Sequence, residues 1–239
     1  MNHDRDHVLD IRNKIRAIVE DHGAELVAEY YSPTKISWPT LRREESPFAG
    51  ELFDGFGDNN PEKFTGDDLV AASLLDVRFG PVAVSRLVIG GEANELLLDE
   101  SLPTDVPLWG EVDVAKGSPA WRLWDLLTGI PDVGPTRASK LLARKRPHLL
   151  PILDSVIKEH LDLKSGDSWA LLKQVLADEE IRLQLDSLAP ANVSARPSTL
   201  RLLDVVTWMR FSESGNARDV REGLGMEVPE RPPRHHAAD

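Results

Sequence analysis

Residues 121–160 read WRLWDLLTGIPDVGPTRASKLLARKRPHLLPILDSVIKEH and hold the clearest structural pattern in the chain. The Ser-Pro pair at 118–119 is typical of a helix start, with serine as the cap and proline at the first helical position, and predicts a helix over 119–128. A connection over 129–134 begins and ends with glycine and leads into a second predicted helix over 135–145. Such a hairpin leaves several backbone N–H groups unpaired on one side, and unpaired N–H groups favour a bound anion.

The hairpin residues 130–134 (Ile-Pro-Asp-Val-Gly) resemble those of the helix-hairpin-helix DNA-binding motif, which reads Leu-Pro-Gly-Val-Gly. The motif has a small residue four positions further on, where this chain has Ala138. The resemblance implies that the hairpin amides hold one DNA phosphate and read no base. Asp132 replaces the first glycine of the pattern. Aspartate tolerates unusual backbone angles, but its carboxylate is expected to repel the phosphate and weaken binding.

A second match extends the resemblance to the base-excision DNA glycosylases that contain this motif. Asp154 stands twenty residues beyond Gly134, and in those enzymes an aspartate at that spacing opens the next helix and faces a flipped nucleotide. The resemblance implies that Asp154 stabilises positive charge on the deoxyribose as the base leaves, or orients the attacking water. The match covers about 40 of the 239 residues.

Two positions near the hairpin bear on whether such an enzyme would also cut the DNA strand. Glycosylases with lyase activity carry a lysine two positions after the second hairpin glycine, where this chain has Thr136. The resemblance therefore implies base removal without lyase activity. Lys140, one helical turn later on the same face, is the candidate substitute for that lysine.

The context of Asp154 also supports a purely structural interpretation. It follows Pro151 and precedes the helical pattern SVIKEHL, so it is a good helix cap without any catalytic role. The sequence leaves both interpretations open, a cap alone and a cap that is also catalytic.

Charge is distributed unevenly along the chain. The net charge is −12, which argues against a protein that coats nucleic acid nonspecifically. Residues 133–153, however, contain five basic residues and no acidic one, which predicts a local DNA-binding patch. The alternative is a solvated helix end, where Arg144, Lys145 and Arg146 complement the helix dipole. The predicted DNA contacts are Val133, Gly134, Pro135, Thr136, Arg137, Lys140, Arg144, Lys145 and Arg146.

The remaining pattern predicts an all-α fold of about 8–10 short helices. The resemblance implies that these helices form a helix-hairpin-helix glycosylase-like bundle. It is expected to form a single domain over residues 1–226, with the motif at 119–145 and a disordered tail over 227–239. Further helices are predicted over 8–28 with a break at Gly23, from residue 65, and over 81–89, 92–98, 154–162, 167–189 and 198–211.

The segment 30–66 is rich in aromatic residues, proline and glycine, and these prevent long regular elements. Its aromatic rings indicate that it packs on something. One interpretation is an ordered loop covering the core, and the other is an aromatic wall for a base or ligand.

The chain contains no cysteine, which excludes disulfide scaffolds and thiolate-bound metals and indicates a reducing compartment. No segment approaches the roughly 20 apolar residues that cross a bilayer, and the N-terminus is too charged for a secretory signal. We therefore expect a cytoplasmic protein with no cofactor, no metal and no membrane partner.

Three functional hypotheses follow from these patterns. The first is a DNA-binding protein that removes a base from DNA. The second is a catalytically inactive scaffold that docks on DNA, or on a protein partner through its acidic surface. The acidic bulk and Asp132 favour this second hypothesis. The third is a small-molecule enzyme that uses the aromatic segment.

Overall fold

The computed structural model describes residues 2–37, 42–44, 48–164, 166–191, 193 and 195–227. Within them the chain is all-α, apart from one short hairpin in which β1 (Lys35–Ser37) pairs antiparallel with β2 (Arg42–Glu44). The helices are α1 (Asn2–Glu20), α2 (Gly23–Tyr30), α3 (Gly66–Ser73), α4 (Pro81–Ala83), α5 (Asn94–Leu97), α6 (Pro119–Thr128), α7 (Pro135–Lys145), α8 (Ser155–His160), α9 (Ser168–Val175), α10 (Glu179–Asp186), α11 (Thr199–Phe211) and α12 (Gly215–Gly223). A 3-10 helix spans Ala49–Leu52, and a π-helix over Val84–Ile89 continues α4.

The predicted helix boundaries agree best with the structure where a capping residue marks the start of the helix. The predicted helices over 119–128 and 135–145 are confirmed as α6 and α7. Ser118 caps α6 by accepting the Trp121 amide at 3.4 Å. The predicted break at Gly23 is also confirmed, because His22 there has a left-handed φ of 60°.

Two helix predictions need correction. The single helix predicted over 167–189 is wrong, because the chain breaks after α9 and Asp178 caps a new helix by accepting the Glu180 amide at 3.0 Å. Helix α12 was not predicted, and the described residues contain twelve α-helices rather than eight to ten. Most of the predicted tail, 228–239, lies outside the described residues.

Helix α11 lies at the centre of the packing. It contacts α1, α2, α8, α10 and α12, and its side chains are buried on nearly every face. One continuous hydrophobic cluster surrounds it and extends from Val8 to Met226. No helix in the described ranges combines the length and apolarity needed to span a bilayer.

The aromatic segment packs onto this core. Tyr31, Phe53 and Phe64 are buried, and the ring of Tyr30 stacks on that of Phe48 with centroids 5.3 Å apart. The interpretation as an ordered loop over the core is therefore confirmed for the described part of the segment. Trp38 and its neighbours at 38–41 and 45–47 lie outside the described residues.

Candidate active site

The connection between α6 and α7 is a tight turn. The Val133 amide donates to the Ile130 carbonyl at 2.9 Å, and Asp132 has a left-handed φ of 67°. Glycine adopts this conformation most easily and aspartate tolerates it, as the sequence predicted. The first-turn amides of a helix have no intrahelical acceptor, and Gly134, the N-cap residue of α7, has no side chain that could accept from them. An anion could approach these donors.

The residues around the turn differ in what they offer to a ligand. Pro135 is exposed, and Gly134, Thr136 and Arg137 are partly exposed. The prediction of Val133 as a DNA contact needs correction. Val133 is only 1% exposed, and its amide already donates to the Ile130 carbonyl within the turn.

The carboxylate of Asp132 lies close to a neighbouring segment. A Cβ built on Gly80 would sit 3.0 Å from the Asp132 Oδ2 atom, so the glycine leaves room for this carboxylate.

The expectation of an exposed basic patch at the end of α7 is wrong. Arg144, Lys145 and Arg146 are each only 2% exposed. They reach into the aromatic segment, which wraps this end of the helix. In this fold their charges face protein groups and are not available to the DNA backbone.

Two of these side chains share a buried aspartate. Lys145 Nζ lies 2.5 Å from Asp68 Oδ2, and Arg144 Nε lies 3.5 Å from Asp68 Oδ1. Arg144 also donates to the carbonyls of Phe53 and Asp54 at 2.6 and 2.9 Å. Burial lowers the pKa of Lys145, and its contact with Asp68 opposes that shift.

Arg146 binds only backbone carbonyls among the described residues. It donates to Leu97, Leu102 and Pro61 at 2.6, 2.8 and 2.9 Å, and to its neighbour Lys145. The cations at this end of α7 therefore hold irregular chain segments together and supply hydrogen bonds that those carbonyls would otherwise lack.

An open cleft of about 1190 Å³ lies beside the N-terminal half of α7. Thr136 and Lys140 of α7 line it, with Asp154 before α8 and Asp204 of α11. Its aromatic walls include Tyr30, Phe48, His160, Trp208 and Phe211. A volume of this size can hold a ligand as large as a nucleotide.

Asp154 occupies the wall of this cleft as a helix cap. Its Oδ1 atom accepts the Ile157 amide at 2.9 Å, and the side chain is half-buried. The predicted capping role is therefore confirmed. The same carboxylate borders the cleft, so the cap leaves it within reach of a bound ligand.

Lys140 extends from α7 toward the same space. It is 6% exposed, and its Nζ atom donates to the Leu75 carbonyl at 2.5 Å. Burial lowers the pKa of this amine, while the charges of Asp154 and Asp204 raise it. The structure thus brings the two predicted catalytic candidates to one cleft.

Helix α11 contributes an ion-pair network that the sequence analysis missed. Arg201 pairs with Asp204 through its Nη1 atom and with Asp54 through its Nε atom at 3.0 Å. Its Nη2 atom donates to the Tyr30 hydroxyl and the Gly50 carbonyl at 2.8 and 2.9 Å. An arginine and an aspartate three residues apart in the largely apolar stretch 200–209 were the available sequence signal, because buried charges are rarely unpaired.

One aromatic pair stands at the edge of the cleft. The rings of His160 and Phe211 stack with centroids 3.9 Å apart and an angle of 8° between their planes. Burial lowers the pKa of His160, which favours the neutral imidazole. No group of three or more His, Asp or Glu residues in the described ranges could hold a metal ion.

Comparison with known proteins gives one family match. A family model matches residues 23–211, from the first residue of α2 to the last residue of α11, and it is described as a family of unknown function. The matched range contains the hairpin and the cleft residues Lys140, Asp154, Arg201 and Asp204. No curated protein and no solved structure matches the chain.

Proposed function

The chain belongs to the DUF6308 family of unknown function, and we propose that it is a DNA N-glycosylase of the helix-hairpin-helix type without lyase activity. The observation that carries the proposal is the position of Asp154. Its carboxylate caps α8 in the wall of a nucleotide-sized cleft, which Thr136 and Lys140 of the hairpin helix also line.

The hairpin supports the proposal because it adjoins the cleft. Thr136 is the second residue of α7 and belongs to the cleft wall, so the uncapped amides of that first turn lie at the cleft rim. A phosphate bound to those amides would place its nucleotide at the mouth of the cleft. A base rotated out of the duplex could then enter the cleft between the aromatic walls.

The chemistry assigned to Asp154 is charge stabilisation and water activation. As the bond between the sugar and the base breaks, positive charge develops on the deoxyribose, and a nearby carboxylate lowers the energy of that state. The same carboxylate can orient the water that attacks the sugar. Lys140 contributes a positive charge beside Asp154, and its amine is held by the Leu75 carbonyl.

DNA contact in this proposal is limited to the hairpin and its flanks. The cations at 144–146 are buried, so the proposed contacts are the first-turn amides of α7, with Arg137 beside them. Arg137 is partly exposed, and its buried Nε atom has no hydrogen-bond partner among the described residues.

We expect the protein to release a free base from at least one duplex in a panel, each duplex carrying a single uracil, hypoxanthine, 8-oxoguanine or 7-methylguanine. The strand should stay intact until alkali is added, because Thr136 stands where helix-hairpin-helix glycosylases with lyase activity carry their lysine. Chromatography of the free base and denaturing gels before and after alkali would measure both. Strand cleavage without alkali would contradict the absence of lyase activity.

Replacing Arg137 by alanine is expected to weaken duplex binding by a similar factor for every sequence. The slope of log affinity against log salt concentration should become shallower by about one, because one phosphate contact is lost. Gel-shift titrations at several salt concentrations would measure both quantities. The matched control is Arg122→Ala on α6, which removes an exposed arginine paired with Asp99 at 2.9 Å. Equal losses in the two variants would show that binding does not depend on the hairpin.

The second candidate function is an inactive scaffold that docks on DNA or on a protein. The burial of Arg144, Lys145 and Arg146 favours it, because this burial removes most of the predicted basic patch. A gel shift without base release from any duplex would support DNA docking. No shift at low or moderate salt would favour a protein partner.

A further inference from the structure

Two aspartates of the cleft, Asp154 and Asp204, have different surroundings. Asp154 is half-buried, and its Oδ1 atom accepts a backbone amide at the start of α8. Asp204 is 6% exposed, and only its Oδ2 atom is engaged, by the Nη1 atom of Arg201. The Oδ1 atom of Asp204 makes no hydrogen bond with any described residue, although Asp204 lines the cleft.

The positive charge next to Asp204 is shared. Arg201 also contacts Asp54 through its Nε atom at 3.0 Å, so one guanidinium faces two carboxylates. Its remaining hydrogen bonds go to Tyr30 and Gly50. A single cation cannot neutralise both carboxylates, and burial disfavours the charge of the one that is left. The network therefore favours a proton on the more deeply buried carboxyl, that of Asp204.

Burial raises the pKa of Asp204 to about 6, against the opposing effect of Arg201. The charge of Asp154 adds to this rise, and that of Lys140 opposes it. The titratable and charged groups around this carboxyl are Arg201 on its own helix, Tyr30 of α2, Asp54, Lys140 of α7 and Asp154. The cleft walls also carry Asp76, Glu159 and His160 of α8, Glu213 just before α12, and Arg218 and Arg221 within α12.

We propose that Asp204 is the general acid of the reaction and gives its proton to the departing base. This inference rests on the proposed function. The bond between the sugar and the base nitrogen breaks, its electron pair stays on the base, and the Asp204 proton neutralises the base. Water adds to the sugar carbon and loses a proton to Asp154, and proton exchange through solvent restores both carboxyl groups.

The assignment identifies a substrate class. A neutral altered base, such as hypoxanthine, leaves as an anion unless it is protonated, so a general acid speeds its departure. A cationic base, such as 7-methylguanine, already carries the charge that makes it a good leaving group. An enzyme with Asp204 in this role acts on neutral bases.

The test compares Asp204→Asn with wild type on two duplexes. One carries 7-methylguanine, and the other carries whichever neutral base of the panel is released fastest. Single-turnover release of the neutral base should fall by about 10²-fold or more, because that is the usual contribution of a general acid. Release of 7-methylguanine should change by only a few fold. An equal loss on both duplexes would overturn the acid role and leave the proposed function standing.

The pH profile gives a second readout. Asp204 holds its proton below its pKa, so wild-type release of the neutral base should fall as pH rises above about 6. The Asp204→Asn profile should lose this descending limb. If wild type acts on neutral bases only, the descending limb of the pH profile is the deciding measurement. A descending limb that persists in Asp204→Asn would overturn the proposal.

A second variant, Asp54→Asn, removes the other carboxylate on Arg201 and does not line the cleft. It leaves the guanidinium charge to Asp204 alone, so the descending limb should move to lower pH, and an unmoved limb would overturn the proposal. The matched control is Asp178→Asn, a helix cap outside the cleft, which should preserve the ratio of the two release rates. A ¹³C-carboxyl titration of wild type by NMR tests the proton on Asp204 without any substrate. A midpoint near 4, the ordinary value for aspartate, would overturn the proposal. Wild type that releases no base while Asp204 titrates near 6 would instead contradict the proposed function.

Discussion

Replacing Asp154 by asparagine is expected to lower base release by about 10²-fold or more while DNA affinity changes little. Asparagine caps a helix as well as aspartate does, so the hydrogen bond from the Ile157 amide is retained. The neutral amide cannot stabilise the positive charge that develops on the sugar or take a proton from water. Single-turnover release, gel-shift affinity and thermal unfolding would separate the three effects.

The control for this variant is another helix cap outside the cleft. Asp178 caps α10 by accepting the Glu180 amide at 3.0 Å, and Asp178→Asn makes the same chemical change there. It should leave base release unchanged. Unchanged release in Asp154→Asn would remove Asp154 from the mechanism and leave it as a structural cap.

Replacing Asp68 by alanine is expected to destabilise the fold by about 3–5 kcal/mol. Asp68 is fully buried between Lys145 and Arg144, and removing one partner leaves buried charge without compensation. The variant also loses the hydrogen bond from the Thr65 amide to Asp68 at the start of α3, 2.7 Å long. Urea unfolding would show a lower midpoint with an unchanged slope.

The neighbouring residue provides the control for that measurement. Asp67 lies one position earlier in the first turn of α3 and accepts the exposed Asp58 amide at 2.9 Å. Asp67→Ala should cost about 1 kcal/mol or less, because solvent replaces that hydrogen bond. Similar losses in both variants would show that the buried charges of α7 do not depend on Asp68.

Local signals in the sequence identified the hairpin helices accurately. Serine and proline mark the start of α6, and Gly134 followed by proline marks the start of α7, so both sets of bounds agree with the structure. Capping depends on residues within one helical turn and can be recognised without tertiary information. The cap formed by Asp154 follows from the same logic.

The role of the cations at 144–146 could not be found in this way. Their partners lie far along the chain: Arg144 donates to Phe53, 91 residues away, and Arg146 to Leu102, 44 residues away. Arginine and lysine at a helix end are usually solvated, and here they are buried by the aromatic segment and, for Arg146, by the chain around Leu97 and Leu102. The sequence shows these three charges but not the chain segments that bury them.

The residues of the cleft were predictable only in part, because some of them depend on contacts between distant parts of the chain. The resemblance supplied Asp154 and Lys140, and the structure brings both to one space. Asp204 comes from α11, where the predicted helix was assigned no function. Its importance depends on Arg201 dividing its charge with Asp54, and that contact spans 147 residues.

The buried cations also change the electrostatic field around the protein. Of the eight buried charged side chains in the described ranges, six are basic and two are acidic. The solvent-facing surface is therefore more negative than the composition suggests. A polyanion diffusing in from a distance meets a repulsive field, which salt weakens over about 10 Å. Capture must then depend on short-range contact, and physiological ionic strength should speed encounter relative to dilute buffer.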